Sequence, residues 1–305
     1  MAAAIGLRFY KASAHRRGAK NDEPCDPADL NIALPAYLQQ FVSTHIASKQ
    51  DPERERSWYF EELLSNAPNS VTGYVHYGTF GFESRFKNTK TGKATYNRQV
   101  EDVEEIPLFF EFWSPENDNF SMLAFQSFQG RSCVTLVVGD LRTGFEAANP
   151  GYVLRIEKLT GFDSPTSLYA SSPVKKLTLV QHRVSADKFT TYGMSGSPGG
   201  YDFEVGFKAR RGGHLGALSE VTGGLSRTDK GLVIFRGEEF EEAVATVLIG
   251  KRQRPVGIIG PKADTGAIDV SQDVTRAANG HPTFESISQQ ATDIAMDLYR
   301  RITGK

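Results

Sequence analysis

Cysteine, net charge and long apolar runs are all scarce in this chain of 305 residues, and each scarcity excludes a class of protein. The two cysteines, Cys25 and Cys133, lie far apart and form neither a disulfide framework nor a metal cluster, which favours a reducing compartment. The net charge is −1, so no overall field attracts nucleic acid or membrane. No run approaches the roughly 18 apolar residues of a membrane helix. We expect a soluble, cytoplasmic protein without a signal peptide or a membrane partner.

Catalytic and metal-binding motifs are equally scarce. The six histidines are scattered, and none stands at zinc-ligand spacing from another His, Cys or acidic residue. The stretch KNTKTGKAT contains the Gly-Lys of a phosphate-binding loop, but Lys87 and Ala94 occupy positions that require Gly and Ser or Thr. In GMSGS, Ser195 lies near a nucleophile-elbow pattern, but Ser197 replaces the last glycine. The sequence therefore predicts no cofactor and no metal, and it does not decide whether the protein is an enzyme.

The residues that are present predict an α+β protein with mixed, largely antiparallel sheets. The chain contains 20 Phe and 11 Tyr, and aromatic residues are enriched in strands. Apolar residues alternate from residue 70 onward, which predicts a strand, and KNTKTGK then predicts a hairpin tip with Gly92 at positive φ. Apolar spacing predicts helices near residues 35–49, 51–66 and 132–147.

A segment rich in Ser, Pro and Gly, residues 161–173, marks the best candidate for a domain boundary. We therefore predict an N-terminal α+β domain over residues 1–162 and a β-rich C-terminal domain over residues 174–305. The second domain ends in an amphipathic helix, for which Thr283 is the predicted N-cap. The apolar stripe of this helix also suits a homodimer interface.

Basic residues concentrate in three segments that flank predicted strands, and these are the candidate nucleic-acid-binding sites. The candidate residues are Arg85, Lys87, Lys90, Lys93, Lys208, Arg210, Arg211, Lys251, Arg252 and Arg254. Clustered cations neutralise phosphates and bind by counterion release, and the aromatic residues Tyr77, Phe80, Phe82 and Phe86 are candidates for stacking on bases. The alternative interpretation is that strand ends carry charge only for solubility and to block edge pairing.

Two further stretches have weaker functional interpretations. Gly213 and Gly216 have the spacing of the glycine loop in KH-type RNA-binding domains, but that loop needs helices on both sides, and here a strand is predicted before it. Asp269, Asp273 and His281 form a weak catalytic candidate, because two carboxylates four residues apart on a helix can share a cation or do acid–base work. The alternative is a short strand followed by a turn that leads into the last helix.

Three stretches, GTFGFESRFKNTKTGK, PLFFEFWSPENDNFSMLAFQSFQGRSCVTLVVGDL and AIDVSQDVT with GHPTF, together resemble uncharacterised bacterial proteins from mobile-element and anti-phage defence neighbourhoods. The resemblance implies a role in sensing or blocking foreign nucleic acid or in abortive infection, and it transfers no catalytic residue. The leading hypothesis is a defence protein that binds DNA or RNA through its basic loops. A hydrolase or nuclease built around Asp269, Asp273 and His281, and a protein-binding subunit of a larger complex, remain as alternatives.

Overall fold

A computed structural model describes residues 4–19, 23–61, 65–67, 69–159, 167–182, 184, 202–228, 232–260 and 266–304. The predicted nucleophile-elbow stretch around Ser195 lies outside the described residues. The contact pattern divides the chain into two compact units, Met1–Ile5 with Tyr10–Glu157 and Gly6–Phe9 with Lys158–Lys305. Whether residues 1–162 and 174–305 fold as independent domains stays a prediction.

The first unit is built on one large sheet. Its strands in chain order are β1 (Ile5–Arg16), β2 (Lys49–Asp51), β3 (Arg56–Phe60), β4 (Ser65–Ala67), β5 (Ser70–Thr79), β6 (Ser84–Lys87), β7 (Ala94–Arg98), β8 (Glu104–Trp113), β9 (Ser121–Phe128) and β10 (Tyr152–Lys158). The order across the sheet is β10-β1-β9-β8-β5-β3-β2, with β4 beside β5, while β6 and β7 form a separate two-stranded hairpin. The central pair, β5 and β8, is antiparallel and ends where Thr79 faces Glu104.

Two helices, α1 (Leu34–Thr44) and α2 (Val134–Ala148), pack on one face of this sheet. The strands contribute alternate residues to the shared core, for example Leu108, Phe110 and Phe112 of β8, because side chains two apart point to the same face. The aromatic residues predicted from sequence therefore serve mainly as core. Tyr77, a predicted stacking residue, is one of them and is only 8% exposed.

The helix predicted over residues 51–66 is wrong. Residues 49–51 and 56–60 form strands β2 and β3 instead, joined by a turn in which Glu55 has a φ of 55°. The physical reason is long-range pairing: Trp58 lies opposite Tyr77 of β5, so that Trp58 and Phe60 enter the core on alternate positions. Burial of these two aromatic side chains outweighs the weak helical preference of the charged residues before them.

Among its described residues, the second unit contains two smaller sheets, the short strand β18 and two helices. The strands are β11 (Lys176–Gln181), β12 (Phe203–Lys208), β13 (Ser226–Arg227), β14 (Val233–Phe235), β15 (Glu238–Phe240), β16 (Glu242–Ile249), β17 (Arg252–Ile259) and β18 (Ile268–Asp269). The main sheet has the order β12-β11-β16-β17 with antiparallel neighbours, and β18 pairs with Gly6 and Leu7, residues of β1 that belong to this second unit. A short helix, α3 (Leu218–Gly223), was not predicted.

The chain closes with helix α4 (Phe284–Thr303), as its sequence predicts. The Thr283 hydroxyl accepts a hydrogen bond from the Ser286 N–H, which confirms the predicted N-cap. Ile287, Ala291, Ile294 and Leu298 form its buried stripe, so this stripe is core in the second unit. With four helices in the described ranges, antiparallel sheets and a closing helix, the predicted α+β class is confirmed.

Candidate nucleic-acid interface

The hairpin of β6 and β7, residues 84–98, is strongly cationic, and we call it the basic hairpin. In the chain it lies between β5 and β8, two strands that are neighbours in the large sheet. Its fifteen residues include five cations and no Asp or Glu. Four of these cations, Arg85, Lys87, Lys90 and Lys93, are exposed, and none makes an ion pair with a described residue.

The tip of the basic hairpin has a defined backbone. The Asn88 side-chain oxygen accepts hydrogen bonds from the N–H groups of Lys90 (2.9 Å) and Thr91 (3.0 Å), and Asn88 N–H donates to the Lys93 carbonyl. Gly92 has a φ of 68°, as predicted, because the reversal needs a left-handed residue there. Lys90 and Lys93 are therefore presented from an ordered turn.

The fifth cation of the basic hairpin, Arg98, anchors its base. Its side chain is only 2% exposed, and its guanidinium donates to the carbonyls of Thr79 and Asp102 and lies 3.4 Å from the Glu104 carboxylate. The same guanidinium stacks over the Phe82 ring at 4.2 Å. Since Thr79 and Glu104 end the strands β5 and β8, these contacts attach the hairpin to the rigid sheet.

Two aromatic rings, Phe86 and Tyr96, lie side by side on one face of the basic hairpin. They are opposite each other in the strand register, with ring centroids 6.1 Å apart, and they are 42% and 52% exposed. Both line an open cleft of about 440 Å³ that is also bordered by Arg98, Asp102 and Val103. Phe86 was a predicted stacking residue, whereas Tyr96 was missed.

The Tyr96 ring is held in place by a carboxylate. Its hydroxyl donates a hydrogen bond to Asp102, and the other fixed contact of that carboxylate is the Gln99 N–H at 2.7 Å. The shared hydrogen bond raises the pKa of the Tyr96 phenol and lowers the pKa of the Asp102 carboxyl. An exposed aromatic ring with a fixed orientation is a preformed contact surface.

The second unit presents a smaller set of free cations at one end of its main sheet. Lys208, Arg210 and Arg211 are exposed and make no ion pair with a described residue. Lys208 lies opposite Lys176 at the start of β11, a position that sequence reasoning missed, and Lys176 lies 3.6 Å from Glu204. The register places the turn between β16 and β17 at this same end of the sheet.

The glycine-rich loop after β12 is fixed by backbone contacts. The Lys175 ammonium donates to the Gly213 carbonyl at 2.7 Å, and Val174 exchanges backbone hydrogen bonds with Leu215 and Gly216. A strand precedes this loop and the short helix α3 follows it. The loop therefore lacks the leading helix of a KH-type site.

The predicted cations Lys251, Arg252 and Arg254, which we group as the paired turn, are all engaged by acidic residues. Lys251 lies 3.0 Å from Asp293, and Arg252 lies 2.9 Å from Asp273. Arg254 is 1% exposed, and its Nε lies 3.0 Å from Asp273 as a poorly aligned ion pair. A buried guanidinium has no surface on which to meet a phosphate, so Arg254 is corrected from a candidate ligand contact to a core residue.

Arg254 belongs to a polar network that attaches helix α4 to the sheet. It donates to the side chain of Gln290, and burial lowers the pKa of its guanidinium while Asp273 opposes that effect. Nearby, the Tyr169 hydroxyl donates to Asp297 at 3.0 Å, and Arg301 lies 3.2 Å from the same carboxylate. Burial raises the pKa of Tyr169 well above its usual range.

The weak catalytic candidates do not assemble into a shared site. Asp269 ends β18 and its carboxylate accepts the Ser271 N–H at 2.8 Å, while Asp273 is occupied by Arg252 and Arg254. His281 precedes helix α4, and burial lowers the pKa of its ring. Residues 268–273 are a short strand and a turn, so the helical geometry that would bring both carboxylates to one cation is absent there.

Comparison with known proteins adds no assignment. No family model matches the chain, and no curated protein is similar to it. Within the described residues, no group of three or more His, Cys, Asp or Glu side chains is arranged to hold a metal ion. None of the helices in the described ranges has both the length and the apolarity of a membrane span.

Proposed function

We propose that this protein binds nucleic acid through the basic hairpin. The observation that carries the proposal is the charge state of the hairpin: Arg85, Lys87, Lys90 and Lys93 are exposed without acidic partners on a framework anchored by Arg98. Cations without acidic partners on an anchored framework bind phosphates at a small free-energy cost, because no ion pair has to be broken first.

Charge for solubility alone is a poorer explanation of this hairpin. Of the ten exposed large apolar side chains in the described chain, five lie within residues 82–103: Phe82, Phe86, Tyr96, Val100 and Val103. A tip selected only for solubility has no use for rings beside its lysines, whereas interfaces with single-stranded nucleic acid combine cations with exposed aromatic residues.

The cations Lys208, Arg210 and Arg211 supply a second, smaller contact in the proposal. They are free in the same sense as those of the hairpin, and they sit at a strand end. The cytoplasmic location and the role in anti-phage defence enter the proposal from the composition and from the resemblance described above. No observation favours the hydrolase alternative, since Asp273 is neutralised by two arginines.

A binding titration with a charge-matched control tests the proposal. The test variant combines Arg85→Ala, Lys87→Ala, Lys90→Ala and Lys93→Ala, and the control combines Arg17→Ala, Lys49→Ala, Arg54→Ala and Lys251→Ala, four exposed cations that each have an acidic partner. Labelled single- and double-stranded DNA and RNA are titrated at about 50 and about 200 mM salt, conditions between which phosphate-dependent binding weakens steeply.

We expect the hairpin variant to lose about a hundredfold in affinity at the lower salt and its log–log salt slope to fall by about 3. The control, with the same net charge, should stay within about threefold of the original protein, because its cations already have partners. Equal losses in the two variants, or no binding of any nucleic acid by the original protein, would refute the proposal. In the second case a co-purifying protein partner becomes the leading explanation of the exposed hairpin.

A further inference from the structure

The face of the basic hairpin that carries Phe86 and Tyr96 borders an open cleft. The two rings lie 6.1 Å apart with their planes 34° from parallel, and the cleft that they border has a volume of about 440 Å³. This volume falls within the range of about 300–1,000 Å³ that is usual for small-ligand sites. Thr95 and Val103 complete the apolar part of the wall.

The acidic residues of this cleft do not cancel its attraction for an anion. Glu104 lies 3.4 Å from Arg98 and 2.7 Å from Arg131, so its charge is shared between two guanidinium groups. Asp102 accepts the Tyr96 hydroxyl and the Gln99 N–H. Asp102 therefore keeps its negative charge beside Tyr96, but the four exposed cations of the basic hairpin outnumber it.

Exposed rings together with exposed cations favour single-stranded over double-stranded nucleic acid. In a duplex, neighbouring base pairs cover both faces of each base, so a protein ring has no face to stack on without first unstacking the helix. An unpaired base exposes its face at no such cost, and stacking of bases on aromatic side chains tolerates any base. The hairpin presents both rings to its cleft, and its four exposed cations lie on either side of Phe86 in the strand and at the tip.

We infer that the ligand of the basic hairpin is a single strand, whose unpaired bases stack on Phe86 and Tyr96 while its phosphates contact Arg85 and the three lysines. This inference rests on the proposed function and narrows its substrate class to single-stranded DNA or RNA, including unpaired ends and loops.

The test uses the full chain with a labelled 20-mer of single-stranded DNA, the same sequence as RNA, and the corresponding DNA duplex. Phe86→Ala and Tyr96→Ala should each reduce affinity for the single strands about tenfold or more, and neither should change the salt slope, because the cations remain. Tyr96→Phe keeps the ring and should bind within about threefold of the original protein. Affinity for the duplex should be weaker and should not respond to any of the three changes.

Failure of the inference is distinguishable from failure of the proposed function. If the duplex binds as tightly as the single strand, or if both alanine variants keep full affinity with an unchanged salt slope, stacking is refuted and phosphate binding stands. If the original protein binds none of the three nucleic acids, the proposed function itself fails. If Phe86→Ala and Tyr96→Ala instead abolish self-association in sedimentation experiments without changing nucleic-acid affinity, the rings form a protein interface and the inference is overturned. Hydrogen exchange at the Asn88 and Gly92 amides, which close the tip by backbone hydrogen bonds, confirms that each variant retains the hairpin.

Discussion

The basic hairpin and the paired turn have similar local sequences and opposite electrostatic environments. Each joins two antiparallel strands, each contains several Lys and Arg residues, and each includes one buried arginine, Arg98 or Arg254. In the hairpin the remaining cations are free, whereas in the turn Lys251 and Arg252 meet carboxylates from distant parts of the chain. The cationic character of a turn therefore depends on what the rest of the fold brings to it.

The difference also separates two uses of positive charge. A paired cation contributes to holding elements of the fold together, and its field is largely cancelled before any ligand arrives. A cation without an ionic partner joins no elements of the fold by ion pairing and keeps its full attraction for an anion. The following measurements test this division, beginning with the largest effect.

Arg254→Ala should destabilise the second unit by about 3–5 kcal/mol, because it leaves Asp273 and Gln290 facing an unfilled buried position. Urea unfolding, followed by hydrogen exchange in β16, β17 and α4, measures the loss. Arg254→Met keeps most of the apolar stem, and its unfolding free energy should still fall by more than half of the decrease expected for Arg254→Ala. That result would assign the effect to the charge. If both variants are within about 1 kcal/mol of the original protein in unfolding free energy, the contacts of Arg254 do not stabilise the fold.

Glu111 provides the opposite case, a buried acid without a partner. It lies in β8 between Thr72 and Ala124, its Oε2 has no hydrogen-bond partner among the described residues, and burial raises its pKa from 4.5 to about 7. The folded protein therefore binds this proton more tightly than the unfolded chain does. Stability from this group is greatest below pH 4.5 and declines as the pH rises to about 7, by about 3 kcal/mol in total.

Unfolding free energies of the original protein and Glu111→Gln, measured at pH 4.5 and pH 8, isolate this contribution as a difference of differences. The glutamine variant should lose about 3 kcal/mol less than the original protein over that interval. Parallel pH profiles for the two proteins would show that the Glu111 carboxyl is solvated or paired in the fold.

The smallest effect is expected for Lys251→Ala. The ammonium of this residue lies 3.0 Å from Asp293, but its side chain is 79% exposed, and exposed ion pairs contribute little to stability. The unfolding free energy should change by less than about 1 kcal/mol, and the change should disappear at about 1 M salt. A larger loss of unfolding free energy that does not depend on salt would show that Lys251 belongs to the buried network of Arg254.

Local patterns in the sequence predicted the features whose identity depends on a few neighbouring residues. The hairpin tip with Gly92 at positive φ, the strand β5 and the N-cap at Thr283 follow from turn chemistry, alternation and capping. Strand β3 was taken for a helix because its identity depends on pairing with β5, and α3 is too short to show a helical period.

The sequence predicts the basic residues of the candidate site, but not which of them have acidic partners in the fold. The sequence shows that Lys90 and Arg254 both lie in basic turns, yet the Arg254 contact with Gln290 spans 36 residues, and such a contact leaves no local pattern. Tyr96 was missed for the same kind of reason. Its role follows from facing Phe86 across the hairpin, which the register determines.

The meeting of Thr79 and Glu104 has a consequence for how the protein changes over evolutionary time. Since β5 and β8 are already adjacent there, residues 80–103 form an excursion that the sheet does not need for its closure. If the hairpin binds nucleic acid as proposed, selection for ligand choice acts on the excursion and selection for folding acts on the sheet, so that the two sets of positions can change independently. Arg98 belongs to both sets, because it joins the excursion to the ends of both strands.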